Sequence, residues 1–180
     1  MSDSQLAFDA SRGDREAFGR LVLEHALQAR RVAYSVLGNW EDAEDVVQEA
    51  ALAAWDAMER YDPTRAFRPW FLRIVANAAL DQVRRRKVRR AEALSDTLPH
   101  RGPTPEDEAE RALLRGHLDR ALAGLPERQR MAVVMFDVEG MSHAEIAGCM
   151  GVPEGTVRSY VFHARRALRK ALGALVEEPA

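Results

Sequence analysis

The most informative part of this chain is residues 141–169, which read MSHAEIAGCMGVPEGTVRSYVFHARRALR. Ser142 and Glu145 match a capping box, in which the serine hydroxyl accepts a hydrogen bond from the glutamate amide and the glutamate carboxylate accepts one from the serine amide. A short helix is therefore predicted from this point to Gly151, where glycine permits the left-handed backbone of a tight turn. A second helix follows Pro153. This spacing is typical of a helix-turn-helix.

The second helix of this motif has an exposed face suited to the major groove of duplex DNA. Polar and basic side chains near the start of such a helix can contact base edges and phosphates. The alternative is a helical hairpin with a solvated basic face, but the capping box, the turn and the one-sided charge all favour the motif. The candidate DNA-contacting residues are Thr156, Arg158, Ser159, Phe162, His163, Arg165 and Arg166.

The net charge of -2 conceals a strong segregation of charge along the chain. Residues 41–49 contain five acidic and no basic residues, whereas residues 60–90 contain ten Lys or Arg against only Asp62 and Asp81. Blocks of this kind predict that two surfaces meet polyanions and that at least one meets a basic partner.

Residues 99–105, PHRGPTP, divide the chain, because four of the seven are Pro or Gly and interrupt a helix. With its flanks, the linker is predicted over residues 91–107, which leaves two small domains at 1–90 and 108–180. The hydrophobic fraction of 47% is sufficient for a core in each.

Both parts show apolar residues at helical spacing, and no alternating strand pattern competes with it. In the first part a long helix should end at Gly38, a second should be capped by Asn39, and a third should begin near Pro69. In the second part helices are expected near Glu108–Ala123 and between Pro126 and Gly140. The sequence therefore predicts an all-α protein made of two small helical domains joined by a flexible linker.

The third helix and the loop before it combine aromatic and basic residues, as a platform for single-stranded nucleic acid does. Unstacked bases need π faces or a pocket, and phosphates need Arg or Lys. The alternative is equally open at this point: the aromatic residues are part of the core, and RRRKVRR at 84–90 is a solvated face. The candidates are Arg65, Phe67, Arg68, Arg73, Asn77, Arg84 and Arg85.

The acidic segment DAEDVVQEAALAAW, residues 42–55, places a polar stripe on one face of a helix. A catalytic or metal site would need further carboxylates or histidines at ligand spacing, and the five His are scattered. We therefore expect a partner-facing surface, no catalytic residue, no cofactor and no metal. Its candidate residues are Asp42, Asp45, Val46, Gln48, Glu49 and Leu52.

Cellular location is indicated by what the sequence lacks. No apolar run is long enough to cross a bilayer, and the first residues do not resemble a signal peptide. The single cysteine, Cys149, excludes an internal disulfide and is expected to be a small buried hydrophobe. The sequence predicts a cytoplasmic protein without membrane insertion.

Taken together and in this order, the three segments resemble an extracytoplasmic-function (ECF, group IV) sigma factor of bacterial RNA polymerase. The acidic stretch is similar to the second conserved region of that family. FRPWFLRIVANAALDQVRRRKVRR, residues 67–90, resembles its promoter-melting and -10-reading region, and residues 125–169 resemble its C-terminal helix-turn-helix domain. The resemblance implies sigma region 2 over residues 1–90 and sigma region 4 over 108–180.

The resemblance also implies partners and roles. Core RNA polymerase would be bound through the clamp of its largest subunit and through its flap, with the acidic residues on the clamp and Val46 and Leu52 as an apolar centre. The third helix would bind the melted -10 element with one base flipped into a pocket, and the last helix would read the -35 element as duplex. An anti-sigma factor that binds both domains is a further implied partner.

Three residues depart from the family pattern, and they bear on which promoter sequence is recognised. Ala76 stands where the family often has Arg, and Tyr160 and His163 stand where Arg is common, so no promoter sequence is assigned. The main alternative is a dimeric helix-turn-helix regulator with a ligand-sensing N-terminal domain, which would protect two half-sites about one helical turn apart. An interaction decoy that captures an anti-sigma factor, and an enzyme, are weaker alternatives.

Overall fold

The computed structural model, which describes residues 2–92 and 108–176, confirms the all-α fold: the described residues form helices and the turns between them. The N-terminal half consists of α1 Asp3–Ser11, α2 Arg15–Leu37, α3 Trp40–Asp56 and α4 Phe67–Glu92. The C-terminal half consists of α5 Glu108–Ala123, α6 Glu127–Val133, α7 His143–Met150 and α8 Glu154–Val176. A 3-10 turn, Met58–Arg60, follows α3, and a π-helical turn, Val134–Val138, extends α6. Of the predicted linker, residues 93–107 lie outside the described residues.

The helix ends follow the capping residues of the sequence. Gly38 ends α2 with φ 70°, and the side chain of Asn39 then accepts a hydrogen bond from the amide of Glu41 at 2.8 Å. Ser142 and Glu145 form the reciprocal capping box at the start of α7, which ends at Gly151 with φ 63°. These predictions are confirmed because each depends on local hydrogen bonds or on a positive φ, and not on distant packing.

Three features differ from the sequence-based expectation. Helix α1 was not predicted, and it is held by Leu6, Ala7 and Ala10, which are buried. Helix α4 continues to Glu92, because arginine is a good helix former and its side chains can project into solvent. The helix expected between Pro126 and Gly140 widens into a π-turn at its end.

The two halves pack directly against each other. Helix α4 contacts α7, and α2 contacts both α6 and the π-turn. Most buried side chains of both halves form one continuous apolar cluster, which includes Phe71 and Leu72 of α4 together with Met141 and Ile146 of the C-terminal half. A smaller cluster of Leu125, Val133 and Ala164 lies within the C-terminal half. The described residues therefore share a core across the predicted domain boundary.

Candidate nucleic-acid and partner interfaces

Helix α3 has a buried face and an exposed acidic face. Ala43, Val46, Val47 and Ala50 are in the core, while the opposite side of the helix is in solvent. Leu52 lies on that outer side and is 69% exposed. We call this surface the acidic face; its exposed residues are Asp45, Gln48, Glu49 and Leu52.

Two residues predicted for the acidic face have other roles. Val46 is only 1% exposed, because it lies on the apolar stripe that packs against the other helices, and the structure therefore places it in the core and not on the acidic face. Asp42 is partly covered, and its carboxylate accepts a hydrogen bond from the guanidinium of Arg86. This ion pair ties the start of α3 to the basic end of α4.

Two apolar side chains that the sequence analysis missed lie on α2. Leu23 and Leu27 are 76% and 51% exposed, one turn apart. Three residues after Leu27, Arg30 pairs with Glu44 of α3 at 3.3 Å, so this part of α2 runs beside the acidic face. Their signal was present in the sequence: both leucines fall outside the helical phase of Phe18, Leu21 and Val32.

Helix α4 and the loop before it carry the second candidate surface, which we call the α4 basic face. Arg73, Asn77 and Arg84 are exposed at steps of four and seven residues, which places them on one side of the helix. Arg84 pairs with Asp81 at 2.6 Å, and Arg65 in the loop pairs with Asp62 at 3.4 Å. The exposed or partly exposed residues of the α4 basic face are Arg65, Arg68, Arg73, Asn77, Arg84 and Arg85.

Phe67 does not belong to that surface. It is 1% exposed, with its ring centroid 5.6 Å from those of Trp70 and Phe71 and 6.2 Å from that of Phe18. The structure therefore places the predicted DNA-contacting residue Phe67 at the centre of an aromatic cluster and not on the exposed side of α4. Trp70 is the half-buried member of this cluster.

Helix α8 presents the third surface, which we call the α8 face. Val157, Val161 and Ala164 are buried, and Phe162 on the outer side is 62% exposed. Arg158 pairs with Glu154 one turn earlier at 2.5 Å. All seven predicted residues are at least partly exposed: Thr156, Arg158, Ser159, Phe162, His163, Arg165 and Arg166.

A groove of about 610 Å³ runs along the α8 face. Its apolar wall includes Phe136, whose ring stacks on His143 at 4.4 Å between centroids and lies 5.0 Å below the guanidinium of Arg165. Asp137 accepts hydrogen bonds from Arg165, which fixes that guanidinium. The groove is also lined by Arg158, Arg166 and Arg169, so its chemistry suits an anion.

The described residues contain neither a metal-binding cluster nor a helix that could span a membrane. None of their His, Cys, Asp and Glu side chains form a group of three or more that could hold a metal ion. No helix in the same part of the chain is both long and apolar enough to cross a membrane.

Comparison with known proteins identifies the family. Residues 21–89 match the family model of sigma-70 region 2, and residues 115–168 match that of sigma-70 region 4. The ECF RNA polymerase sigma factor SigE of Mycolicibacterium smegmatis is 40% identical over 179 residues, covering 96% of this chain and 69% of the relative. This chain is a member of the ECF sigma factor family.

Further similarities agree with this membership. ECF sigma factor SigW of Bacillus subtilis is 30% identical, covering 89% of this chain and 91% of SigW. The solved structure of CnrH in complex with the cytosolic domain of CnrY is 31% identical, with a TM-score of 0.71 and coverage of 96% of this chain and 97% of CnrH. This sigma factor is accordingly a subunit that directs core RNA polymerase to promoters, and the dimeric regulator is not favoured.

Proposed function

We propose that the three surfaces divide the work of initiation: the acidic face docks on core polymerase, the α4 basic face binds the melted -10 strand, and the α8 face reads the -35 duplex. The observation that carries this assignment is that each surface is the exposed side of a helix whose other side is buried. Rigid helices of this kind present side chains in fixed positions. We retain region 2 at residues 1–90, the linker at 91–107 and region 4 at 108–180.

The acidic face suits a basic helical partner such as the clamp coiled coil of the largest polymerase subunit. Specific protein interfaces combine an apolar centre with a charged rim that steers association. Leu52, together with the exposed Leu23 and Leu27 of the adjacent helix α2, provides the apolar centre in place of the buried Val46. Asp45 and Glu49 provide the charge.

The α4 basic face suits single-stranded DNA. Arg73, Arg84 and Arg85 can neutralise phosphates, while the amide of Asn77 can exchange hydrogen bonds with a base edge. Flipping a base out of the stack costs a few kcal/mol, which the pocket and phosphate contacts offset. Phe67 contributes indirectly, because the aromatic cluster around it supports the loop that carries Arg65.

The α8 face suits duplex DNA. Arg158, Ser159 and Phe162 lie on the first turns of α8, where helix-turn-helix proteins contact base edges. The arginines that line the adjacent groove can hold the phosphate backbone. We assign the contact with the polymerase flap to the same C-terminal half of the chain.

We also infer an anti-sigma partner. CnrH is described in complex with the cytosolic domain of CnrY, and a second similar fold, the sigma factor RpoE of Bartonella quintana, in complex with the anti-sigma factor NepR. A chain that binds core polymerase and promoter DNA works in the cytoplasm, and it needs no catalytic group or cofactor of its own for this role.

The acidic face is tested by reversing one charge. In Asp45→Arg, we expect core binding and run-off transcription from genomic fragments to be lost, because a cation then faces the basic clamp. The fold should be unchanged, since Asp45 is exposed. Binding is measured by co-elution with core polymerase, and folding by circular dichroism.

The matched control is Glu16→Arg. Glu16 is also exposed on a helix of the N-terminal half, and it pairs with Arg20 one turn later, a contact of little energetic value. This variant should bind core polymerase normally. If wild type, Asp45→Arg and Glu16→Arg bind core polymerase equally well, the acidic face is not part of the polymerase interface.

A further inference from the structure

Arg165 of the α8 face is held in place by the π-turn Val134–Val138. Its Nε atom donates a hydrogen bond to Oδ2 of Asp137 at 2.9 Å, and its Nη2 atom donates one to Oδ1 of the same carboxylate. The ring of Phe136 lies below the guanidinium, with its centroid 5.0 Å from Cζ. Two neighbouring residues of one turn therefore fix both the direction and the plane of a guanidinium that lies 28 positions from Asp137 in the sequence.

The π-turn explains why two consecutive side chains reach the same guanidinium. The amide of Glu139 donates a hydrogen bond to the carbonyl of Val134, five residues earlier, at 3.1 Å. Because such a turn holds more residues than an α-helical turn, the angle between consecutive side chains is smaller, and Phe136 and Asp137 point more nearly the same way. Single π-turns within helices are rare and are frequent at functional sites.

Folding stability does not account for this arrangement. The side chains of Arg165 and Asp137 are 51% and 36% exposed, and an exposed ion pair contributes little to stability because water screens it and both side chains lose freedom. The supporting ring is itself fixed, since Phe136 stacks on His143 of α7 with 4.4 Å between the centroids. The π-turn therefore orders a side chain that would otherwise move freely in solvent, as expected for a preorganised binding group.

The donors that Asp137 leaves available on Arg165 suit a phosphate. A guanidinium has five N–H donors, and the carboxylate occupies the edge formed by Nε and Nη2. The edge formed by Nη1 and Nη2 can still bind two oxygens of one phosphate. Arg165 lies about three turns after Glu154, at which α8 begins, whereas helix-turn-helix proteins contact base edges mainly from the first turns. Its expected ligand is therefore the DNA backbone.

We propose that Asp137 is a positioning residue for DNA recognition: by holding Arg165 against one phosphate, it sets the register of α8 in the major groove and raises discrimination between sequences without raising overall affinity. This rests on the proposed function, in which the α8 face reads the -35 duplex. Phosphate contacts fix the position of a protein on DNA, and base contacts then select the sequence. A mobile guanidinium would still attract phosphates, but in several registers. The negative charge of Asp137 also weakens attraction to DNA of any sequence.

The test uses holoenzyme assembled from the full chain and core polymerase, with a promoter fragment obtained by run-off transcription. Affinity is measured for this fragment and for the same fragment with its -35 segment scrambled; we call the quotient of the two affinities the -35 ratio. Asp137→Asn should lower the -35 ratio on the order of tenfold, the discrimination that about one base contact provides. Its affinity for the scrambled fragment should be equal or higher, because a negative charge is lost. Asp137→Glu keeps the carboxylate and should recover part of the -35 ratio.

Two further variants separate positioning from a simple change of charge. Glu154→Gln also removes a negative charge beside the α8 face, where Glu154 accepts a hydrogen bond from Arg158 through one oxygen at 2.5 Å. It should bind the scrambled fragment like Asp137→Asn and keep the wild-type -35 ratio. In an Arg165→Gln background, Asp137→Asn should change the -35 ratio no further, because it acts through that arginine. Circular dichroism should show equal helicity in all variants.

The outcomes distinguish this inference from the proposed function. If wild type discriminates between the two fragments and Asp137→Asn does so equally well, the inference alone is overturned. An equal loss of the -35 ratio in Asp137→Asn and Glu154→Gln, or a further loss in the Arg165→Gln background, would overturn it as well. If wild-type holoenzyme binds both fragments equally, the -35 assignment of the α8 face fails, and the role of Asp137 fails with it.

Discussion

At the scale of single residues, Phe67 shows how a buried side chain can support a binding surface without being exposed on it. It contacts the aromatic rings of both α2 and α4 and lies close to His25, which in turn bonds to Asp3 of α1 at 3.0 Å. Phe67 and its neighbour His25 thus connect three helices of the N-terminal half. The loop that carries Arg65 begins at Tyr61, whose ring also packs against Phe67 and whose hydroxyl donates a hydrogen bond to the carbonyl of Arg65.

We expect Phe67→Ala to lower the free energy of unfolding by about 3–5 kcal/mol, because it removes a fully buried aromatic ring and leaves a cavity. Urea unfolding followed by circular dichroism measures this loss. Asn77→Ala is the matched control: Asn77 is exposed on the same helix, so its stability should change by less than about 0.5 kcal/mol. An unchanged stability for Phe67→Ala would contradict its place in the core.

At the scale of elements, the capping box of α7 links helix stability to pH. Hydrogen bonding from the amide of Ser142 lowers the pKa of Glu145, with a smaller opposing effect of burial. The box stabilises α7, which also carries Cys149 and the contact with α4. Stability of this one short helix therefore bears on how the two halves meet.

A group whose pKa is lower in the folded state stabilises the fold above its unfolded pKa and loses that contribution as pH falls through the folded value. For Glu145 the contribution should be complete above its ordinary value of 4.5 and disappear in strong acid. Wild type should thus exceed Glu145→Gln in unfolding free energy at neutral pH, and the two should converge in acid. A difference independent of pH would contradict this.

Ser142→Ala is the comparison for the capping box. It removes the hydroxyl that caps α7 at any pH, and its expected cost is about 1 kcal/mol. Its deficit relative to wild type should therefore persist in acid, unlike that of Glu145→Gln. Denaturant unfolding of the three proteins at the two pH values measures both effects.

Helix ends were predictable from the sequence. Whether a given apolar residue lies in the core, or a given charged residue in an ion pair, was harder to predict. Gly38, Asn39 and Gly151 act through local backbone geometry. The helical phase also separates the buried Val46 from the exposed Leu52, because the two are six residues apart and lie on opposite sides of α3. It could not show that Phe67, in an arginine-rich segment, lies at the centre of an aromatic cluster, because that position depends on packing against Phe18 of α2.

Ion pairs between distant segments could not be predicted from the sequence either. Asp42 was predicted to face a partner, and its contact with Arg86 depends on how α4 lies against α3. The pair of Arg31 and Glu139 depends on the packing of the two halves, which neither motif encodes by itself. Charge segregation predicted that acidic and basic surfaces meet, but it could not predict that some meet within the chain.

At the scale of the whole molecule, the shared core predicts a compact particle. A single packed body of 180 residues has a radius of gyration of about 16 Å, whereas two separated domains of half that size would give roughly 21 Å or more. We expect small-angle scattering of the purified chain to give the lower value. A value near the higher one would show that the halves are apart in solution.

The contact of Cys149 with Pro69 joins residues that are 80 positions apart. A ribosome adding about 5–20 residues per second needs roughly 4–16 s to make the intervening chain. Throughout that interval the nascent N-terminal half presents the side of α4 that α7 will later cover. Chaperones that recognise uncovered apolar surface therefore have their best opportunity before the last helices emerge.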